Sequence, residues 1–242
     1  MPPQQARTSL PSLPAELIEH ILLCLPQQQR GSCMLVCRRL AAVGRGSRRL
    51  WHAVHNRRPA ALLAALACNP SLHIEELLWG SSPADSLFEY RWACEGEVEA
   101  ATRVAASLGE RLQSLNLEVR CFDVSTDWVE PLQGLRHVAL HVFSSPYPED
   151  GQSVLTLTRH LGALPALQSI WVVANKLRMD PGCIPPQLIR LSLWTDCAPN
   201  DLLLLCAAAA GSLRKLQLDG IPRWGLIKLG WDPLASLAAL TK

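Results

Sequence analysis

The chain has 242 residues, 49% of them hydrophobic and 18% charged, a balance that is typical of globular proteins and excludes an intrinsically disordered one. The longest apolar runs, 60–68 and 202–210, hold nine residues each, far fewer than the roughly 20 that cross a membrane, and no targeting signal opens the sequence. The net charge of +2 divides unevenly, since residues 1–60 hold nine arginines against two glutamates, so the basic segment and the acidic remainder are expected to bind different partners.

The first predicted element is a short amphipathic helix. Pro14 suits its first turn, Ser12 is suited to cap it, and Pro26 ends it. The unit that runs to Trp51 has only about 40 residues, too few to fold well alone, so we expect its apolar face to need a partner. That face repeats every four residues and consists of Leu13, Leu17, Ile21 and Leu25.

Further apolar and basic residues extend this pattern to Trp51. The order of residues over 10–55 resembles the F-box family, although 27–31 replaces the family's acidic-hydrophobic pair and Leu40 stands where a Trp is usual. We therefore favour an F-box at residues 10–55 over a three-helix core segment of an unrelated domain. The matching residues are Leu13-Pro14, Glu16-Leu17, Ile21-Leu22, Leu25, Val36-Cys37-Arg38 and Leu50-Trp51.

The resemblance implies a three-helix F-box that docks on a Skp-family adaptor, and through it on a cullin and a RING subunit. Because the family's adaptor is acidic, an acidic protein is favoured over nucleic acid as the partner of the basic segment, which also lacks spare stacking aromatics. We expect no nucleic acid and no membrane among the partners. The adaptor contacts that the resemblance implies are Leu13, Pro14, Leu17, Ile21, Leu22, Leu25, Val36 and Trp51.

A helix is predicted at 59–68, ended by Asn69-Pro70, and beyond it a pattern of three apolar anchors recurs six times. The middle anchors are 38, 23, 32, 21 and 25 residues apart, and three of these separations fall within the roughly 20–29 residues of leucine-rich repeats. The six copies are Ile74-Leu77-Trp79, Leu112-Leu115-Leu117, Leu135-Val138-Leu140, Leu167-Ile170-Val172, Leu188-Leu191-Leu193 and Leu213-Leu216-Leu218.

The fourth copy continues to Asn175 and Leu177 and so fills every anchor of the leucine-rich repeat, in which the Asn satisfies backbone groups at the strand exit. Helices are predicted between strands at 98–112, 154–164 and 201–210. The fold class is therefore α/β, with an F-box followed at 60–242 by a solenoid of about six leucine-rich repeats, in which a parallel sheet lines one face. The last repeat is either incomplete or closed by a short edge helix. The alternative, a doubly wound α/β enzyme, needs valine-rich central strands and a Gly-rich loop that the sequence lacks.

No catalytic or metal motif stands out, so no enzyme activity, cofactor or metal is expected. Cys33 and Cys37 have no second pair of ligands, and no histidine signature accompanies the other cysteines. Nine cysteines without regular spacing also argue against a secreted disulfide scaffold. We expect reduced thiols in a cytoplasmic or nuclear protein.

Side chains that alternate with the anchors are predicted to face a substrate. Trp171 and Trp194 would be diagonal neighbours about 7–8 Å apart; they either anchor a partner or fold over to cover a neighbouring insertion. The predicted substrate-binding residues are Asn116, Glu118, His137, His141, Trp171, Arg190, Trp194, Lys215 and Asp219.

An F-box followed by leucine-rich repeats resembles the substrate receptors of SCF-type ubiquitin ligases. The resemblance implies a non-catalytic subunit whose repeats hold an unknown protein substrate. The alternative is a repeat scaffold that acts outside ubiquitin transfer.

Overall fold

The molecule consists of a helical N-terminal module followed by a sheet of parallel strands, so the predicted α/β class is confirmed. The computed structural model describes residues 13–56, 59–68, 72–79, 95–120, 123–143, 153–197, 205, 207–209 and 211–219.

Four helices build the module, and three more lie along the rest of the described chain. The helices are α1 Ala15–Cys24, α2 Gln27–Met34, α3 Arg38–Gly46, α4 Arg48–Trp51, α5 Pro59–Cys68, α6 Glu95–Leu108 and α7 Arg159–Gly162, with 3₁₀ turns at Gly109–Arg111 and Asp127–Val129. Pro14 occupies the N-cap of α1, one position earlier than the first turn in which it was predicted, and the predicted cap Ser12 lies outside the described residues.

A small apolar core holds the module together. Ile18 and Leu22 of α1 pack there with Leu40 of α3 and Leu50 of α4, and all four are buried. Leu40 thus fills a core position at the site where the sequence departs from the F-box consensus. Because helix positions three and four apart share one face, burying these residues leaves their neighbours Leu17 and Ile21 on the outer side.

Residues 27–31, the other stretch that departs from the F-box consensus, also stabilise the module. Arg30 of α2 donates to the carbonyl oxygens of Leu25 (3.1 Å), Leu50 (3.0 Å) and Leu23 (3.3 Å). Helix ends leave such carbonyls without partners inside the helix. One guanidinium therefore ties the end of α1 to the end of α4.

In the part of the chain that the structure describes, the sheet has nine parallel strands. Seven follow one another in the order β1-β2-β3-β5-β7-β8-β9, while β4 and β6 form a branch that pairs with the second half of β7. The strands are β1 Ala53–Asn56, β2 Glu76–Trp79, β3 Ser114–Arg120, β4 Asp123–Ser125, β5 His137–Phe143, β6 Val154–Leu157, β7 Ser169–Met179, β8 Arg190–Cys197 and β9 Lys215–Asp219.

The predicted strands are confirmed in their register as well as their existence. The six middle anchors pair one with the next across the sheet, in the order Leu77, Leu115, Val138, Ile170, Leu191 and Leu216. Five of them are buried and Leu216 packs partly buried against the same core. The helix predicted at 59–68 is confirmed by α5, and α6 covers most of the one predicted at 98–112.

A repeated hydrogen-bond pattern marks the entry to each strand after β1 in the seven-strand series, which we call the main ladder. One carbonyl oxygen accepts from two successive backbone N–H groups of the next strand, at 2.8–3.1 Å. The accepting residues are His52, Glu75, Gln113, Arg136, Gln168 and Ile189. The first of these follows directly on α4, so the sheet begins within the predicted F-box boundaries and before residue 60, where the second domain was predicted to begin.

One predicted helix is wrong in its first half. Residues 154–157 form β6, with Leu155 and Leu157 buried, and only Arg159–Gly162 is helical. Alternating burial is the strand pattern, and pairing with β7 outweighed the apolar spacing that suggested a helix. Most of the helix predicted at 201–210 lies outside the described residues, although 205 and 207–209 are helical.

Asn175 lies where β7 changes register. Its Oδ1 accepts from the hydroxyl of Ser153 at 2.7 Å, and that hydroxyl is also 3.2 Å from the carbonyl oxygen of Val142 at the end of β5. The amide predicted to stabilise the strand exit thus acts there through Ser153.

Candidate docking surfaces

The large apolar side chains that remain exposed fall into two groups. Four belong to the helical module and two to the sheet. They are Leu17 (50%), Ile21 (38%), Leu35 (87%) and Val36 (74%), and Trp171 (47%) and Trp194 (53%).

The first group forms the module's exposed apolar set, Leu17, Ile21, Leu35 and Val36. Leu17 and Ile21 are one turn apart on α1, and Leu35 and Val36 form the turn between α2 and α3. Sequence reasoning missed Leu35 because it assigned that stretch from the consensus, which includes Val36 alone. The signal was present, since two adjacent apolar residues in a short inter-helix turn cannot both reach the core.

The other predicted adaptor contacts occupy different environments. Leu22 is fully buried in the module core, because it lies one turn from Ile18 on the inner face of α1. Leu13 and Leu25 are half-buried against that core, while Pro14 is exposed at the helix start. These residues shape the module, and Leu17, Ile21 and Val36 are the predicted contacts with the largest exposed apolar surface.

Trp51 lies between the two apolar cores of the molecule. It packs partly buried against both the module core and the core of the sheet, and its Nε1 donates to the carbonyl oxygen of Gly44 at 2.7 Å. A Cβ at Gly44 would overlap the side chain of Met34, which would have to move to make room for it. The ring therefore joins the two halves of the molecule.

A buried carboxylate strengthens the contact between the helical module and the sheet, which we call the joint. Glu75, just before β2, accepts from the guanidinium of Arg48 on α4, and its Oε2 lies 3.2 Å from Nδ1 of His52. His73 contacts the other oxygen at 2.5 Å. The Arg48 hydrogen bond, aided by His73 and the nearby positive charge, holds the pKa of Glu75 below its usual value against the opposing effect of desolvation.

The open face of the sheet consists of three outward rows, because the strands pair in register and their side chains alternate. The first outward row is Glu76, Ser114, His137, Ser169, Arg190 and Lys215. The second is Leu78, Asn116, Ala139, Trp171, Ser192 and Gln217. The third is Glu118, His141, Val173, Trp194 and Asp219.

These rows bring together all nine predicted substrate-binding residues on adjacent strands of one sheet. Asp219 is placed there by its backbone alone, opposite Trp194. The charges on this face are unevenly distributed: Glu76 and Glu118 lie on β2 and β3, whereas β8 and β9 carry Arg190 and Lys215 in the first row and Asp219 in the third.

Trp171 is held by a contact within the outward rows. Its ring meets that of His141 edge to face, with 4.8 Å between the ring centroids and 68° between the planes. Burial lowers the pKa of His141, and the charge of Glu118, its register partner on β3, offsets part of that effect. A neutral imidazole beside an indole extends the apolar part of this face.

Other kinds of site are not evident in the part of the chain that the structure describes. There, no three His, Cys, Asp or Glu side chains are grouped to hold a metal ion, and no helix is long and apolar enough to span a membrane. Cys24, Cys33 and Cys37 carry free thiols. The sulfur of Cys37 caps α3 by accepting from the backbone N–H of Leu40 at 3.4 Å.

Comparison with known families decides the nature of the helical module. Residues 10–57 match the F-box-like family. This segment is an F-box-like domain. It comprises α1 to α4 and extends over β1, so the F-box-like domain includes the first strand of the sheet. A search of curated proteins finds no match to the chain.

Proposed function

We propose that this protein is the substrate-recognition subunit of an SCF-type E3 ubiquitin ligase, with the F-box-like domain docking on a Skp-family adaptor. The observation that carries the proposal is the exposed apolar set of that domain. Leu17 and Ile21 project from one helix face whose other side is buried, and Leu35 and Val36 add two more apolar groups from a turn. A soluble module with such a set gains stability when a partner removes it from water.

The sheet supports the second half of the proposal, in which leucine-rich repeats bind the substrate. Anchors that pair in one register, and the recurring double acceptor at each strand entry, are what a solenoid of similar units produces. Such a solenoid leaves the outward rows open for a partner. We further propose that the chain contributes binding and no catalysis, that it needs no cofactor, and that it acts in the cytoplasm or nucleus.

A scaffold that acts outside ubiquitin transfer is the second candidate. The observation that favours it is the continuity between α4 and β1, because a joined module and sheet can serve simply as one long interaction surface. The two candidates differ in one requirement: a ligase subunit must assemble with a cullin.

The decisive experiment is capture of purified Skp-family adaptor and cullin by the full chain and by the double variant Leu17→Asp/Ile21→Asp. We expect the wild type to capture both and the variant neither, because a carboxylate buried in an apolar interface without a partner costs several kcal/mol. Ala42→Asp, which adds the same charge on the exposed side of α3, should bind normally.

Far-UV circular dichroism establishes that each variant is folded. Unchanged capture by the double variant would rule out this surface as the adaptor site. Adaptor binding by the wild type without recruitment of a cullin would favour the scaffold.

A further inference from the structure

Ser192 lies at the centre of a ring of larger side chains on the sheet. On its own strand β8, Arg190 and Trp194 are two residues away on the same face. Trp171 of β7 and Gln217 of β9 are its register partners on either side. The side chain of Ser192 is much shorter than these four neighbours, so it forms the bottom of a depression between them. We call this position the Ser192 floor.

The two indoles border this floor. Trp171 contacts His141 of β5, which lies on the side of β7 away from β8. Both Trp171 and Trp194 keep about half of their surface exposed. An apolar side chain laid on the Ser192 floor would therefore meet indole surface on two sides, and such aromatic borders are favoured interface anchors.

Two basic side chains lie on β8 and β9, two residues before Ser192 and Gln217. Arg190 and Lys215 are register partners in the first outward row, and both are exposed. Within the described part of the chain neither forms an ion pair with a carboxylate. Residues 61–242 as a whole hold 14 basic against 19 acidic side chains, so this pair is opposite in sign to its domain.

We infer that this face binds an acidic segment of a partner protein, in which a bulky apolar side chain lies within one or two residues of a carboxylate or phosphate. The apolar side chain rests on the Ser192 floor between Trp171 and Trp194, and the anion pairs with Arg190 and Lys215. The inference rests on the proposed function, in which the sheet holds the substrate.

The acidic residues on β2 and β3 determine the direction in which a bound peptide lies across the sheet. They also argue against a polyanion as the ligand. Glu76 and Glu118 lie on β2 and β3, so a nucleic acid running across the strands would meet carboxylates after only a few steps. A peptide whose acidic residues lie over Arg190 and Lys215 in the first row, away from Asp219 in the third, and whose basic or neutral residues lie over β2 and β3 matches these charges.

The test is selection of a phage-displayed random dodecapeptide library on the full chain, followed by fluorescence anisotropy with the selected peptides. We expect enrichment of peptides with an acidic residue next to a Leu, Ile, Phe or Met. Arg190→Glu/Lys215→Glu should weaken their binding at least tenfold and shift a repeated selection toward basic peptides. Ser192→Trp, which fills the floor, should weaken binding by a similar factor.

Two matched variants serve as controls. Ser192→Ala keeps the floor low and should bind normally, and Arg159→Glu reverses an exposed charge on α7, outside the outward rows, with no effect. Synthesis of a selected peptide with phosphoserine at the acidic position shows which anion is preferred.

No enrichment, enrichment without acidic residues, or binding that survives both Arg190→Glu/Lys215→Glu and Ser192→Trp would overturn the inference. Preference for single-stranded RNA over the selected peptides would do so as well. The adaptor capture described above is independent of this face. A chain that captures adaptor and cullin but selects no such peptide refutes this inference alone, whereas loss of adaptor capture refutes the proposed function.

Discussion

Glu75 is the carboxylate around which the joint between the F-box-like domain and the sheet is organised. It lies buried between α4 and β2, with Arg48, His52 and His73 directed at its two oxygens, while Glu76 beside it contacts His52 at 3.4 Å. Its backbone carbonyl oxygen also accepts from the N–H groups of Gln113 and Ser114, where β3 begins. One residue thus links the helical module to two strands.

The lowered pKa of Glu75 gives the joint a definite dependence on pH. A carboxyl whose pKa is lower in the folded than in the unfolded state stabilises the fold fully above the unfolded value, near 4.5, and this contribution is lost as the pH falls through the folded value. We expect Glu75→Gln to reduce the free energy of unfolding by about 1 kcal/mol at pH 7. Its difference from wild type should shrink below pH 4.5.

Urea unfolding at steps from pH 7 to pH 3.5 measures this difference. Glu76→Gln, which changes a half-exposed neighbour, should have a smaller effect. A Glu75→Gln difference that stays constant to pH 3.5 would contradict the assignment.

For single residues, the sequence predicts which apolar side chains belong to the F-box pattern better than it predicts which of them are buried and which are exposed. The contacts carried over by resemblance include Leu22, which the core buries, and omit Leu35, the most exposed large apolar side chain of the described chain. The joint was also missed, because Arg48 and Glu75 are 27 residues apart and no local pattern pairs them.

The strands of the main ladder are the elements that the sequence predicts best. Each carries three anchors at fixed spacing, and the same spacing in neighbouring strands leaves one register that buries them all. The prediction of a helix at 154–164 was wrong because this segment lacks such a set of regularly spaced anchors. Val154–Leu157 is short and apolar, and its structure is decided by pairing with β7.

This contrast between anchors and outward rows predicts different costs of substitution on β7. Ile170→Ala should lower the free energy of unfolding by about 2–5 kcal/mol, because it leaves a cavity in the core. Trp171→Ala/Trp194→Ala should cost much less, about 1 kcal/mol, since both rings are half-exposed. Urea unfolding of the three proteins tests the difference.

If the double tryptophan variant unfolds as readily as Ile170→Ala, the rings are core residues that cover the sheet. They would then not be free to contact a partner.

At the scale of the whole molecule, the F-box-like domain closes one end of the sheet. The carbonyl oxygen of His52, directly after α4, is the first of the double acceptors that recur at each strand entry. Gln27 of α2 reaches the carbonyl oxygen of Ala53 in β1 at 3.4 Å. An edge strand leaves backbone groups open to other partners, and these helices cover the edge of the sheet that begins with β1.

Because Trp51 packs against both cores, the F-box-like domain and the first strands are expected to unfold together. Trp51→Ala should lower the stability of both by about 3 kcal/mol. Hydrogen exchange followed by mass spectrometry measures this region by region: amides of α1 and α3 and amides of β2 and β3 should lose protection to the same extent. In Trp194→Ala, the matched change at an exposed ring, α1 and α3 should keep theirs. Loss confined to the helices in Trp51→Ala would mean that the sheet is stable without its helical cap, and that the proposed substrate-binding face is not held in a fixed position relative to the proposed adaptor site.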